Sequence, residues 1–112
     1  MSAAECREIK KHMNIPVLNT GGFQDGALIR KVISEGYCDG VAIARPLIAN
    51  NDLPKVLEQG RDLPDEPCTF CNRCLINAIG NPLGCYDPRR FNGDHDRMIE
   101  QVMSVFDPPE YT

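Results

Sequence analysis

No stretch of this 112-residue chain is rich in lysine or arginine, and its formal net charge is -4. A nucleic-acid surface needs a basic stripe to release counterions from phosphates, so that partner class is excluded. No apolar run approaches the roughly 18–20 residues that a membrane helix requires. The N-terminal residues are too polar for a signal peptide, so the expected compartment is the cytoplasm, with no membrane partner. Cysteine is too thin for a secreted scaffold: there are six, below the density of roughly 8–10% that marks a disulfide framework. The remaining composition is ordinary, 42% hydrophobic and 25% charged. A chain of this size is one small domain, able to bury roughly two-thirds of its unfolded surface.

The chain changes character near residue 60. Residues 2–13 are good helix formers, with Ala3, Cys6, Ile9 and Met13 spaced three or four apart on one apolar stripe. Ile15-Pro16-Val17-Leu18-Asn19 has the pattern of a strand buried on both faces, with Pro16 tolerated only near its start. Asp25 is the expected N-cap of a helix through Ser34, whose Leu28, Ile29, Val32 and Ile33 share a face and whose C-cap is Gly36. Gly40-Val41-Ala42-Ile43-Ala44 reads as a second buried strand, and Asn51 or Asp52 opens a helix with Val56 and Leu57 that ends near Gly60. Such alternation with short connections implies parallel strands and right-handed crossovers. Two strands are too few, so residues 1–60 read as a piece of a larger α/β sheet or barrel. Over 61–112, prolines 64, 67, 82, 88, 108 and 109, with Gly80, Gly84 and Gly93, interrupt any long element. One helix is expected there, over 96–105, with Met98, Ile99, Val102 and Val105 on a face, preceded by a polar, exposed 92–96.

Two strand ends carry candidate chemistry. In Asn19-Thr20-Gly21-Gly22-Phe23, glycines at the end of a strand let backbone N–H groups approach an anion, and the helix that follows adds a favourable dipole. In Ala44-Arg45-Pro46-Leu47, a small residue permits close approach and arginine supplies a bidentate partner for phosphate. In eightfold (β/α) barrels the loops after the seventh and eighth strands frequently bind phosphate, a place that these two consecutive turns fit.

The second constellation is Cys68-Thr69-Phe70-Cys71-Asn72-Arg73-Cys74, followed by Cys85. Four thiols so crowded in a reducing compartment read as metal ligands before disulfides. Four thiolates suit Zn²⁺ or an iron–sulfur cluster, and the alternative is a set of free thiols in a loop. Cys6 and Cys38 read as small core residues. His12 is expected to face solvent, His95 to lie in a solvated loop, and Tyr86 and Phe91 to anchor the cysteine loop.

Ile15-Pro16-Val17-Leu18-Asn19-Thr20-Gly21-Gly22-Phe23, with Asp39-Gly40-Val41-Ala42-Ile43-Ala44-Arg45-Pro46-Leu47-Ile48-Ala49-Asn50-Asn51-Asp52-Leu53-Pro54, resembles the last two βα units of the old yellow enzyme family. These are flavin-dependent NAD(P)H oxidoreductases, and the Ala-Arg-Pro turn is similar to that of the 2,4-dienoyl-CoA reductase branch. The resemblance implies a (β/α)₈ TIM barrel that binds FMN, with the phosphate held by Gly21, Gly22, Ala44 and Arg45. It also implies NAD(P)H as co-substrate and an activated alkene or enoyl thioester as substrate. The iron–sulfur enzymes of that branch place four cysteines just after the barrel, which assigns Cys68, Cys71, Cys74 and Cys85 to a [4Fe-4S] cluster. There the third cysteine usually lies one residue further on, and Asn51 stands where proline is common. Phe23 is expected either near the flavin or in the core.

On this reading residues 1–60 are a partial TIM barrel carrying the FMN-phosphate segment, and 61–112 are a cysteine-rich extension. Met1 falls inside the helix before the seventh strand, and the six preceding βα units, with the catalytic groups, are absent. The expectation is an oxidoreductase fragment, inactive alone, whose bare strand edges and apolar faces favour aggregation. Two other readings stay open: a small iron–sulfur or zinc electron-carrier module, and half of a split barrel completed by a partner chain.

Overall fold

The computed structural model describes residues 2–105. The expectations for Met1, for prolines 108 and 109 and for the side chain of Val105 lie outside that description. The N-terminal half is helix–strand–helix–strand, as the alternation predicts. Helix α1 spans Ala3–Lys10 and opens on a capping box, in which Ser2 Oγ accepts from the Glu5 N–H while Glu5 Oε2 accepts from the Ser2 N–H. It ends earlier than the expected residue 13, because His12 and Met13 bond only to carbonyls three residues back.

Strands β1 (Leu18–Thr20) and β2 (Gly40–Ala42) pair in parallel, with Leu18 opposite Gly40 and Thr20 opposite Ala42. Asp39 sets this register. Its N–H donates to the Val17 carbonyl at 2.8 Å, and its carboxylate accepts from the Val17 N–H at 2.8 Å and from Lys10 Nζ at 2.9 Å. The Val17 N–H first, and then Lys10, hold the Asp39 carboxyl below the usual carboxylate range. Between the strands runs helix α2 (Gly26–Ser34), capped as expected by Asp25, which accepts from the N–H groups of Ala27 and Leu28. Its end is a Schellman turn: Tyr37 N–H bonds Val32 O, Gly36 N–H bonds Ile33 O, and Gly36 takes φ +75°.

The expectation that both strands are buried on both faces requires correction. One face packs a core of Cys6, Phe23, Val32 and Cys38, with Val17, Ile29, Val41 and Ile43 against it. The other face is bare: Leu18 is 64% exposed and Ala42 is open, and Ile15 ahead of β1 and Ala44 after β2 are exposed as well. The apolar run is there, but among the described residues no strand or helix covers its second side.

After β2 the chain forms helix α3 (Arg45–Ala49), where the sequence suggests only a turn, and then α4 (Leu53–Glu58) within the expected 52–60. The extension holds α5 (Arg73–Asn77), a 3₁₀ turn at Pro88–Phe91 and α6 (His95–Val105), and no strand among its described residues. Helix α6 buries Met98 and Val102 beside Phe91 at the 3₁₀ turn. No helix among the described residues is long and apolar enough to cross a membrane.

Asn19 is fully buried in β1, and among the described residues neither its Oδ1 nor its Nδ2 has a hydrogen-bond partner. An unsatisfied buried amide costs about 1–3 kcal/mol. Asn19→Leu, similar in shape and apolar, is therefore expected to raise the urea midpoint by the equivalent of about 1 kcal/mol. A lowered midpoint would show that water or another group satisfies this amide.

Candidate functional site

Because Asp39 fixes the register, β1 and β2 end side by side, and the turns that leave them face one pocket. Thr20, Gly21, Gly22 and Phe23 line it from the first turn, Ala42, Ala44 and Arg45 from the second. The structure thus brings together all four residues expected at a phosphate site. Gly21 and Gly22 take φ +126° and +75°, conformations that L side chains rarely adopt, and a Cβ at Gly22 would meet nothing within 4 Å. Outside the strand ladder, the N–H groups of Gly21, Gly22 and Ala44 donate to no backbone carbonyl among the described residues.

The helix contribution differs from expectation. Helix α2 starts at Gly26, not directly after the glycines, and the Asp25 carboxylate occupies its first amides. A carboxylate cap cancels much of the favourable potential of a helix N-terminus. The anion-binding character of the pocket therefore rests on the glycine amides and on Arg45. Phe23 is buried in the core, one of the two places expected for it, and it also lines this pocket.

The four clustered cysteines converge. Cys68, Cys71, Cys74 and Cys85 all line one small, mostly apolar pocket, with Ile48, Ala49, Thr69 and Arg45. Among the described residues, no three histidine, cysteine or acidic side chains are drawn into a single metal-ligating shell. The donor chemistry of the four thiols suits a thiolate-held centre. Burial first, and then the Cys85 and Cys74 thiols, push the Cys68 thiol up; the Phe70 N–H and Arg45 oppose this. Metal binding here would release protons, because the thiolate is the ligand. Cys6 and Cys38 are buried in the core, as expected, and burial raises the Cys38 thiol. His12 and His95 are exposed, but His95 opens helix α6 rather than lying in a loop.

Several residues that hold the cysteine loop were not legible in the sequence. The Gln24 side-chain amide pairs in both directions with the Cys68 backbone, donating to its O at 2.8 Å and accepting from its N at 2.9 Å. Asp87 is fully buried and accepts from Thr69 Oγ1, from the Arg89 backbone N–H and from the Arg89 guanidinium. The Arg89 bonds, then Thr69, hold the Asp87 carboxyl far below the usual carboxylate range, against the opposing effect of burial. Arg90, also buried, donates to Glu66 O at 2.9 Å and to Ala49 O at 3.0 Å. Tyr86, expected as a loop anchor, donates to Pro82 O at 2.6 Å, and Phe91 is buried behind the loop. Glutamine, aspartate and arginine in loops carry no pattern that separates such clamps from solvated polar residues.

The sequence profile of the NADH:flavin oxidoreductase / NADH oxidase family matches residues 2–64. Among curated relatives, the NADH oxidase of Thermoanaerobacter brockii is 34% identical over 93 residues, covering 70% of this chain and 14% of that protein. The dimethylamine dehydrogenase of Hyphomicrobium sp. (strain x) is 36% identical over 111 residues, covering 83% of this chain and 15% of its own length. A match of that extent necessarily includes residues 68–85. The multifunctional alkene reductase/demethylase OYE of Caballeronia cordobensis is 33% identical over 76 residues, covering 65% of this chain and 11% of that protein. The chain therefore spans a small part of the relatives it matches.

Asp87 generates a prediction in pH. A carboxyl whose folded pKa lies below its unfolded value of about 3.9 contributes stability that is present above that value. The contribution is lost as pH falls through the folded pKa. The parent chain is thus expected to lose urea stability below about pH 4, and Asp87→Asn to lose markedly less there. At neutral pH the same substitution is expected to destabilise by about 1–3 kcal/mol. Parallel acid limbs for the two proteins would remove Asp87 as the cause.

Proposed function

Because this chain belongs to the NADH:flavin oxidoreductase / NADH oxidase family, we propose that it supplies the phosphate end of an FMN site, as the last two βα units of a (β/α)₈ barrel. The observation that carries this reading is the single pocket shared by the glycine turn and the Arg45 turn. In this role the N–H groups of Gly21, Gly22 and Ala44 would donate to phosphate oxygens, and the Arg45 guanidinium would offer paired donors. The chemistry that FMN supplies in such an enzyme is relay of hydride from NAD(P)H to an activated alkene or enoyl thioester. This chain's own residues would bind and orient the phosphate, and the family resemblance assigns proton donation to earlier βα units of such a barrel. The isolated chain is therefore proposed to lack reductase turnover.

For the cysteine loop we propose a [4Fe-4S] cluster held by Cys68, Cys71, Cys74 and Cys85, with Zn²⁺ as the alternative occupant. The four thiols around one apolar pocket support a thiolate-held centre. A second reading, in which the chain completes a barrel supplied by a partner, is favoured by the bare strand face at Leu18 and Ala42.

The phosphate assignment is tested by titrating the pure chain with FMN, riboflavin and inorganic phosphate while following the Gly21, Gly22 and Ala44 amide signals by NMR. FMN is expected to bind more tightly than riboflavin. Arg45→Met is expected to weaken phosphate by about tenfold or more, the worth of hydrogen bonds to a charged group. Equal affinity for FMN and riboflavin would sink the assignment. Iron, zinc and sulfide analysis of anaerobically purified protein tests the second site. About four irons and four sulfides per chain are expected, and zinc alone would assign the mononuclear alternative.

A further inference from the structure

The phosphate pocket and the four-thiol pocket share a wall, and Arg45 stands in both. Its Nη1 donates to Asn72 Oδ1 at 2.5 Å, and its guanidinium lies 5.0 Å from the centre of the Phe70 ring. Both partners come from the cysteine loop, each in a two-residue gap between cysteines. Phe70 is itself part of the phosphate-pocket lining.

The backbone at these two positions is unusual. Phe70 takes φ +56° and Asn72 φ +66°, left-handed conformations in residues that are not glycine. Asparagine tolerates this region, but for phenylalanine it costs on the order of 1–2 kcal/mol. Such strain persists only where surrounding contacts over-determine it. Here they are the two-way Gln24 amide pair on Cys68, the Phe70 N–H bond to Cys68 Sγ at 3.3 Å, and the Arg45 contacts themselves.

From this arrangement we propose that Phe70 and Asn72 are positioning residues that hold the Arg45 guanidinium at the glycine turn, so that anion affinity there depends on the conformation of the cysteine loop. The inference rests on the phosphate reading of that pocket. A free arginine side chain carries about 2 kcal/mol of rotamer entropy, most of which an anion would otherwise have to remove on binding. The Phe70 ring lies against the guanidinium and Asn72 takes one of its five N–H donors, leaving others for phosphate oxygens. Coupling of this kind is reciprocal: what orders the loop tightens the anion, and the anion orders the loop.

The test uses the full chain with two substitutions at Asn72. Asn72→Gly keeps the left-handed backbone and removes the acceptor. Asn72→Asp keeps an acceptor but adds a carboxylate that competes with an anion for the same guanidinium. Two readouts are followed by NMR: the Arg45 Nε–H signal, and the Gly21 and Gly22 amides during titration with inorganic phosphate. Asn72→Gly is expected to broaden the Arg45 signal and weaken phosphate about three- to tenfold. Asn72→Asp is expected to keep the sharp Arg45 signal while still weakening phosphate, a split that a purely structural role would not produce. An Arg45 signal or a phosphate affinity unchanged in Asn72→Gly, with helix content by circular dichroism equal to the parent, would overturn the inference. Glycine amides in the parent that ignore phosphate would overturn the phosphate reading, and the inference with it; the Arg45 signal distinguishes the two failures.

Discussion

Asp39 ties the two strands together at their beginnings, accepting from Val17 and Lys10 through its carboxylate while its own N–H donates to Val17. Everything at the other end of the strands inherits its position from this clamp. A parallel pair has no hairpin turn to set its register, and a slip of one residue would displace one turn by roughly 3.3 Å relative to the other. With Thr20 held opposite Ala42, the glycines after β1 and the alanine and arginine after β2 come out level and share one pocket. The chemistry of the site is thus decided at the far end of the strands from where it acts.

The cysteine-rich extension is docked on this frame largely by side chains that reach backbone groups. Gln24 holds Cys68, Asn50 Nδ2 holds the Glu66 carbonyl at 2.9 Å, and Arg90 joins Glu66 to the end of α3 at Ala49. The Gly26 N–H adds a bond to Asp62 O at 2.8 Å. An irregular segment with few strands to pair its backbone must satisfy those groups in this way. The result is a loop whose geometry is specified residue by residue. The apolar surface of the extension is less well covered, with Ile76, Ile79 and Leu83 exposed.

Of the proposed FMN-phosphate contacts, the residue types were visible because each has a chemical signature at a strand end: paired glycines, and a small residue before arginine. The helix dipole expected beside the glycines was not realised, because Asp25, correctly recognised as a cap, places its own charge on those amides. Both expectations came from adjacent residues, and their mutual interference appears only when the cap geometry is known.

The sequence by itself determined the βα alternation, the Asp25 cap, the Gly36 turn, helix α6 and the two groups of chemically capable residues. Each is written in local spacing, since periodicity, caps and turns depend on neighbours a few positions away. Tertiary structure alone decided which strand faces are covered, that Arg45 borders both pockets, and that Gln24, Phe70, Asn72 and Asp87 fix the cysteine loop. Those facts join residues 18 to 44 positions apart. Ordinary polar side chains carry no sign of which distant partner they will meet, because that choice belongs to the packed chain as a whole.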